Sequence, residues 1–361
     1  YYSGTNHEFM KFKLSTRTLL AVATGVTLTQ LAIVTPISQF NSTIAPVVAG
    51  TKSVTQVVKP NSNMVFPPSG SKVTTGSNVE RAKELMFRDG DYAKARQYLK
   101  AALKTEPNEP LTYAMNTLYP FSAGDFEQVR EYGDKTTKVA AQLTATNPLR
   151  GNLYQGVGLA ILGAYEMKKE NGGALGALSK LQKVFQYMDK AKQSDPNNHE
   201  LNLVKGYMDL LLAVNVPFSD TTEAIEQLKN AEPKYLALRG MYIGYRDLKE
   251  YDKAIVAINS AIELAPNNPE LTYYKAQLLA IRGREKKNDN DLRKSIQLFE
   301  SAYQKRNQLL LSTIAQILSE RCQAKSALMK TSTDACWGFE AQLKKDNPNL
   351  VVELTKIPPL D

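Results

Sequence analysis

The side chains that could do chemistry are few and scattered along these 361 residues. His7 and His199, the two histidines, stand far apart in sequence, which gives little support to a histidine metal site or a Ser-His-Asp triad. Gly172-Gly173 follows no strand pattern and opens onto no phosphate-binding motif, so it reads as loop punctuation. Asp91 and Asp125 each follow a glycine and precede an aromatic residue, which suits turn residues better than general acids. Trp337, the single tryptophan, lies beside Cys336 and Phe339 and is expected in a terminal core. None of these groups points to a metal or cofactor.

Composition narrows the classes further. Apolar residues make up 43% and charged residues 22%, the proportions of a folded globular chain. The net charge is +9, yet lysines and carboxylates interleave instead of forming a basic run. That pattern describes solvated helix faces, not a nucleic-acid patch, and it leaves room for an acidic partner.

The elements that carry these residues are helical. From Tyr235 to Pro266, apolar positions recur at three- and four-residue steps in two blocks. The first is Leu238, Met241, Tyr242 and Tyr245; the second is Ala254, Ile258, Ala261 and Ile262. Asp247 to Glu250 forms the turn between them, and Pro266 forbids further helix. This helical hairpin resembles a tetratricopeptide repeat, whose signature runs W-x2-L-G-x2-Y, A-x3-F and P. Leu238 in place of Trp and Tyr242 in place of Gly are departures.

Similar hairpins recur. Residues 78–110 carry Ala82, Leu85 and Met86, the turn Gly90-Asp91-Tyr92, then Ala95, Leu99 and Ala102. The turn returns as Gly124-Asp125-Phe126, and Ala95 to Val129 is 34 residues, the repeat length of the family. In that second unit Gly133 stands where a large apolar residue is expected, and the second helix reaches about Thr146. A third unit breaks at Asn171-Gly172-Gly173. A fourth has an inner loop at Asn215 to Phe218 and a helix start at Asp220 to Glu223. In the sixth, Arg284 to Asp291 reads as an inserted loop, and Tyr273-Tyr274 reads as one buried and one exposed ring. The expected fold is all-α: a solenoid of five or six such hairpins over 78–306, capped by a hairpin at 307–346 that covers the open end of the stack.

Outside the repeats, 1–49 carries Lys11, Lys13 and Arg17 ahead of the apolar stretch Leu19 to Val34. It reads as an upstream extension and a secretory signal peptide, with an uncleaved anchor as the rival reading. Residues 50–77 read as a flexible linker and 347–361 as an irregular tail. In an exported chain, Cys322 and Cys336, fourteen positions apart on opposite arms of the cap, are expected to form a disulfide. The arrangement is similar to exported bacterial proteins of this repeat family, cyanobacterial ones included.

The resemblance implies a protein-interaction scaffold whose first helices line a concave groove. The residues it places there are Gln155 and Leu159 in the third unit and Leu203, Tyr207 and Leu210 in the fourth. Arg239, Ile243 and Arg246 follow in the fifth, with Tyr273 and Gln277 in the sixth. Arginine forks suit carboxylates and tyrosines give contact area at low entropic cost, so the implied partner is an acidic peptide or protein with some apolar side chains. The membrane would be touched only through the N-terminal segment. The alternative is an enzyme or enzyme regulator with its site in the irregular third unit or the cap. The Lys/Asn/Arg carboxylate clamp of some chaperone-binding repeats is not found; the first unit offers Glu80 and Glu84 instead.

Overall fold

The computed structural model describes residues 77–167, 173–215 and 221–346. The expected leader, the linker up to residue 76, the Asn171-Gly172 break, the loop at 216–220 and the tail all lie outside the described residues.

Among the described residues there is no strand, and helices pack in successive pairs along the chain. The first hairpin is α1 (Asn78–Lys83), extended by a π-helical turn (Glu84–Arg88), and α2 (Tyr92–Thr105). The second is α3 (Pro110–Asn116) with α4 (Leu118–Ala123), followed by α5 (Phe126–Leu143). Then come α6 (Pro148–Glu166) with α7 (Gly173–Ser194), and α8 (His199–Asn215) with α9 (Thr221–Lys229). The fifth pair is α10 (Lys234–Asp247) and α11 (Tyr251–Leu264); the sixth is α12 (Pro269–Glu285) and α13 (Asp289–Gln304). The array ends in α14 (Leu311–Met329) and the short α15 (Phe339–Asp346). This is an all-α solenoid of the tetratricopeptide kind.

The inner turns share one conformation. Gly90 (φ 66°), Gly124 (φ 84°), Lys249 (φ 59°) and Lys287 (φ 51°) occupy the left-handed region at equivalent places. A polar residue follows each. Asp91 Oδ1 accepts from the Lys94 amide at 2.9 Å and Asp125 Oδ1 from the Gln128 amide at 3.1 Å, so both aspartates cap the helices they precede. Prolines also start helices here: Pro110, Pro148 and Pro269 occupy first turns, where a missing N–H costs nothing. Pro120, placed inside a helix, cannot donate to the Asn116 carbonyl, and there the second unit's first helix divides into α3 and α4.

Gly133 has a packing reason. A Cβ there would lie 2.9 Å from Ile161, and one on the facing Gly158 would lie 2.8 Å from the Thr137 backbone nitrogen. The two glycines let α5 and α6 cross closer than any larger pair would allow.

Several expectations need correction. Arg284 to Asp291 is no inserted loop. The link is three residues, because the Asn288 side chain caps α13 and Arg282 forks onto Asp291 at 2.7 and 3.0 Å. Tyr273 and Tyr274 are both fully buried. The last helix starts only at Phe339, because Cys336 is drawn against α14 and Gly338 turns the chain at φ 91°. Trp337 leaves the cap core and is 57% exposed.

Candidate functional site

The inner wall is formed by first helices of the hairpins, and the wall is closed. On α10 the sequence reading turned Leu238, Met241, Tyr242 and Tyr245 inward for packing and Arg239, Ile243 and Arg246 toward an open groove. Tyr242 is fully buried and Leu238, Met241 and Tyr245 are half-buried, but Arg239, Ile243 and Arg246 are buried too. Across the expected set, Gln155, Leu203, Tyr207, Leu210, Arg239, Ile243, Arg246, Tyr273 and Gln277 are each at most 8% exposed. Leu159 alone is half-buried. Expected to face solvent, nine of the ten are covered instead.

At Arg239 the cover comes from the other end of the chain, whereas Tyr273 and Gln277 are held by Glu320 of α14. The turn of the first hairpin seats against the N-terminal ends of α10 and α12. The Asn268 side-chain amide donates to the Phe87 carbonyl at 3.1 Å, and the Tyr92 hydroxyl donates to Glu270 Oε2 at 2.9 Å. A Cβ on Gly90 would lie 2.5 Å from Asn268 Oδ1 and 2.9 Å from Pro269, so the seat accepts backbone only at that point. One turn of superhelix therefore returns the first unit to the sixth.

Behind this seam lie two polar clusters. In the first, Arg239 meets Glu270 at 3.5 Å, both 1% exposed, and the guanidinium lies over the Tyr274 ring at 5.5 Å. Tyr207, from α8, donates to the Leu236 carbonyl at 2.8 Å. Burial pushes the Glu270 carboxyl up, with Arg239 and the bond from Tyr92 acting against it. Burial likewise pushes the Tyr207 phenol up, to about 12.

The second cluster joins the sixth unit to the cap. Arg246 Nη1 donates to Gln277 Oε1 at 2.7 Å, and Gln277 Nε2 donates to Glu320 Oε1 at 2.8 Å. The Tyr273 hydroxyl donates to the same carboxylate at 3.0 Å. Burial raises Glu320, and the bonds from Gln277 and Tyr273 oppose the shift. Tyr207 and Arg239 thus belong to the first cluster, and Arg246, Tyr273 and Gln277 to the second. Gln155 instead bonds locally to Thr144 and Gly151.

The sequence reading missed Tyr92, Asn268, Glu270 and Glu320. Asn-Pro-Glu at 268–270 is legible as a helix start, with cap, first-turn proline and first-turn acid. That its partner would be Tyr92 is a long-range fact no local pattern carries.

Cys322 and Cys336 are joined, with Cα atoms 5.3 Å apart. The Ser319 hydroxyl donates to the Cys336 carbonyl at 2.7 Å beside the bridge. Among the described residues, no group of three His, Cys, Asp or Glu side chains could hold a metal ion, and no helix is long and apolar enough to cross a membrane.

Residues 245–268 match the tetratricopeptide repeat family, covering the end of α10, the turn at Lys249, all of α11 and the Asn268 cap. A comparison with curated proteins finds no match.

Proposed function

We propose that this protein is an exported scaffold that docks a peptide or protein subunit on the inner wall of its solenoid and so helps assemble a complex. The repeat match supports a protein–protein interaction role, since repeats of this family generally act as non-catalytic scaffolds. The observation that carries the finer reading is the convergence of Tyr207, Arg239, Arg246, Tyr273 and Gln277 from three successive first helices. Two guanidiniums among phenol rings suit a carboxylate-bearing segment with apolar side chains. Export rests on the reading of 1–49 as a signal peptide, and a Cys322–Cys336 bridge fits an oxidising compartment.

Docking is tested with the purified full chain and a fluorescent peptide of alternating glutamate and leucine, against the same peptide with lysine for glutamate. Saturable anisotropy with the acidic peptide alone supports the reading; equal binding of both peptides, or no binding even by a Tyr92→Phe, Asn268→Asp chain whose seam is broken, overturns it. Export is tested by N-terminal sequencing of the native protein. The mature chain is expected to lack roughly the first 40 residues, and a terminus at Met10 or Lys11 would favour the anchor.

A further inference from the structure

We propose that the first hairpin is an intramolecular latch: seated on the N-terminal ends of α10 and α12, it shuts the Arg239 end of the inner wall, and its release opens that end to a partner.

Four observations support it. The specific contacts of the seam are polar: Asn268 to the Phe87 carbonyl, and Tyr92 to Glu270. Such contacts exchange for water at small net cost when an interface opens, unlike the apolar joints between neighbouring hairpins. The seam also keeps a carboxylate from water, since Glu270 is 1% exposed and burial pushes its carboxyl up. Opening restores water to that carboxylate and offsets part of what the lost bonds contributed.

Asn268 divides its work in a way that suits release. Its Oδ1 accepts from the Glu270 and Leu271 amides and so caps its own helix, while its Nδ2 reaches the first hairpin. Letting go costs the second bond and leaves α12 capped. On the other side, α1 ends in the π-helical turn Glu84–Arg88, and the Phe87 carbonyl that meets Asn268 belongs to that turn. Wide turns of this kind occur frequently at functional positions.

What the opened seam would present is Arg239 with the Tyr274 ring beside it. That consequence rests on the docking reading, whereas the latch itself does not. The two are separable because opening is measured without any peptide.

The variant Tyr92→Phe with Asn268→Asp removes both latch bonds and keeps the helix cap, since an aspartate oxygen still accepts at that position. Hydrogen exchange of the full chain is compared with the wild type, with far-ultraviolet circular dichroism as the control. The expected result is unchanged helicity and exchange roughly tenfold faster along α10 and α12, the effect of losing one to two buried hydrogen bonds. Unchanged helicity with unchanged exchange overturns the latch. If the variant loses helicity, the wild type decides. Its amides at 87–95 and 268–274 are then expected to exchange together and well before those of α5 and α6. Equal protection of the two regions overturns the proposal. Opening without acidic-peptide binding would leave the latch standing and remove the docking reading.

Discussion

Tyr92 donates its hydroxyl to Glu270 at 2.9 Å across 178 residues of sequence, in a site where both side chains are at most 1% exposed. This bond closes one turn of a helical solenoid on itself. Replacing Tyr92 by Phe keeps the ring and removes the donor, leaving a buried carboxylate short of one partner. The expected loss is about 1–3 kcal/mol of stability, seen as a lower urea midpoint at pH 7. An unchanged midpoint would mean the bond contributes nothing to closure.

The left-handed turn residues predict a gain. Lys287 is exposed at φ 51°, a conformation that costs an L side chain roughly 1–2 kcal/mol and glycine little. Glycine's greater unfolded-state entropy takes back about 0.5–1 kcal/mol. Lys287→Gly should therefore stabilise modestly, by up to about 1 kcal/mol, and raise the melting temperature. A lower melting temperature would show that the lysine side chain matters where it stands.

The cap depends on its bridge. Residues 331–346 bury only Cys336 and Leu343 fully, so the disulfide is a principal attachment of that segment to α14. In the chain-entropy view a loop of this length contributes roughly 3 kcal/mol. Cys322→Ser with Cys336→Ser should lower the melting temperature and speed hydrogen exchange at 334–346 more than elsewhere. A thiol assay on unfolded, unreduced protein should find no free sulfhydryl; two would refute the bridge.

Tyr207 sets an alkaline limit. Its phenol ordinarily titrates near 10 and burial pushes it up to about 12 in the folded chain. The folded state holds this proton more tightly, so the contribution is complete below pH 10 and is lost as pH rises from 10 through about 12. Across that window the stability advantage of wild type over Tyr207→Phe should shrink by about 2–3 kcal/mol. A constant gap would mean that the phenol is reached by water.

How much of this was legible depended on range. The hairpins of the first and second units were visible because apolar spacing, a Gly-Asp-aromatic turn and a closing proline are local signals, and the fifth was visible from apolar spacing and its proline alone. The turns at Lys249 and Lys287 adopt the same geometry without glycine, so the signal vanished and Arg284 to Asp291 looked like an insertion. The capping side chain of Asn288 and the Arg282–Asp291 fork were the missing information. The expected inner-wall residues lie on the first helices that periodicity assigned, and they are covered where solvent was expected. That placement follows from helix periodicity, whereas exposure depends on whether the superhelix comes round to meet itself. That in turn hangs on Gly90, Tyr92, Asn268 and Glu270 meeting across most of the described chain. Trp337 was misplaced for a related reason, because the bridge from its neighbour Cys336 to Cys322 on α14 decided which way its segment turned.

The central claim is that the inner wall is closed in the resting protein, and Arg239→Glu tests it most directly. In the closed wall Arg239 is 1% exposed and faces Glu270. Reversing its charge there breaks a buried pair and sets two carboxylates together, at a cost of about 3–5 kcal/mol or more. Thermal unfolding followed by circular dichroism should then shift down by roughly 10 °C or more. An Arg239→Glu protein that melts within a degree or two of the wild type would contradict the closed wall and return Arg239 to an open, solvated groove.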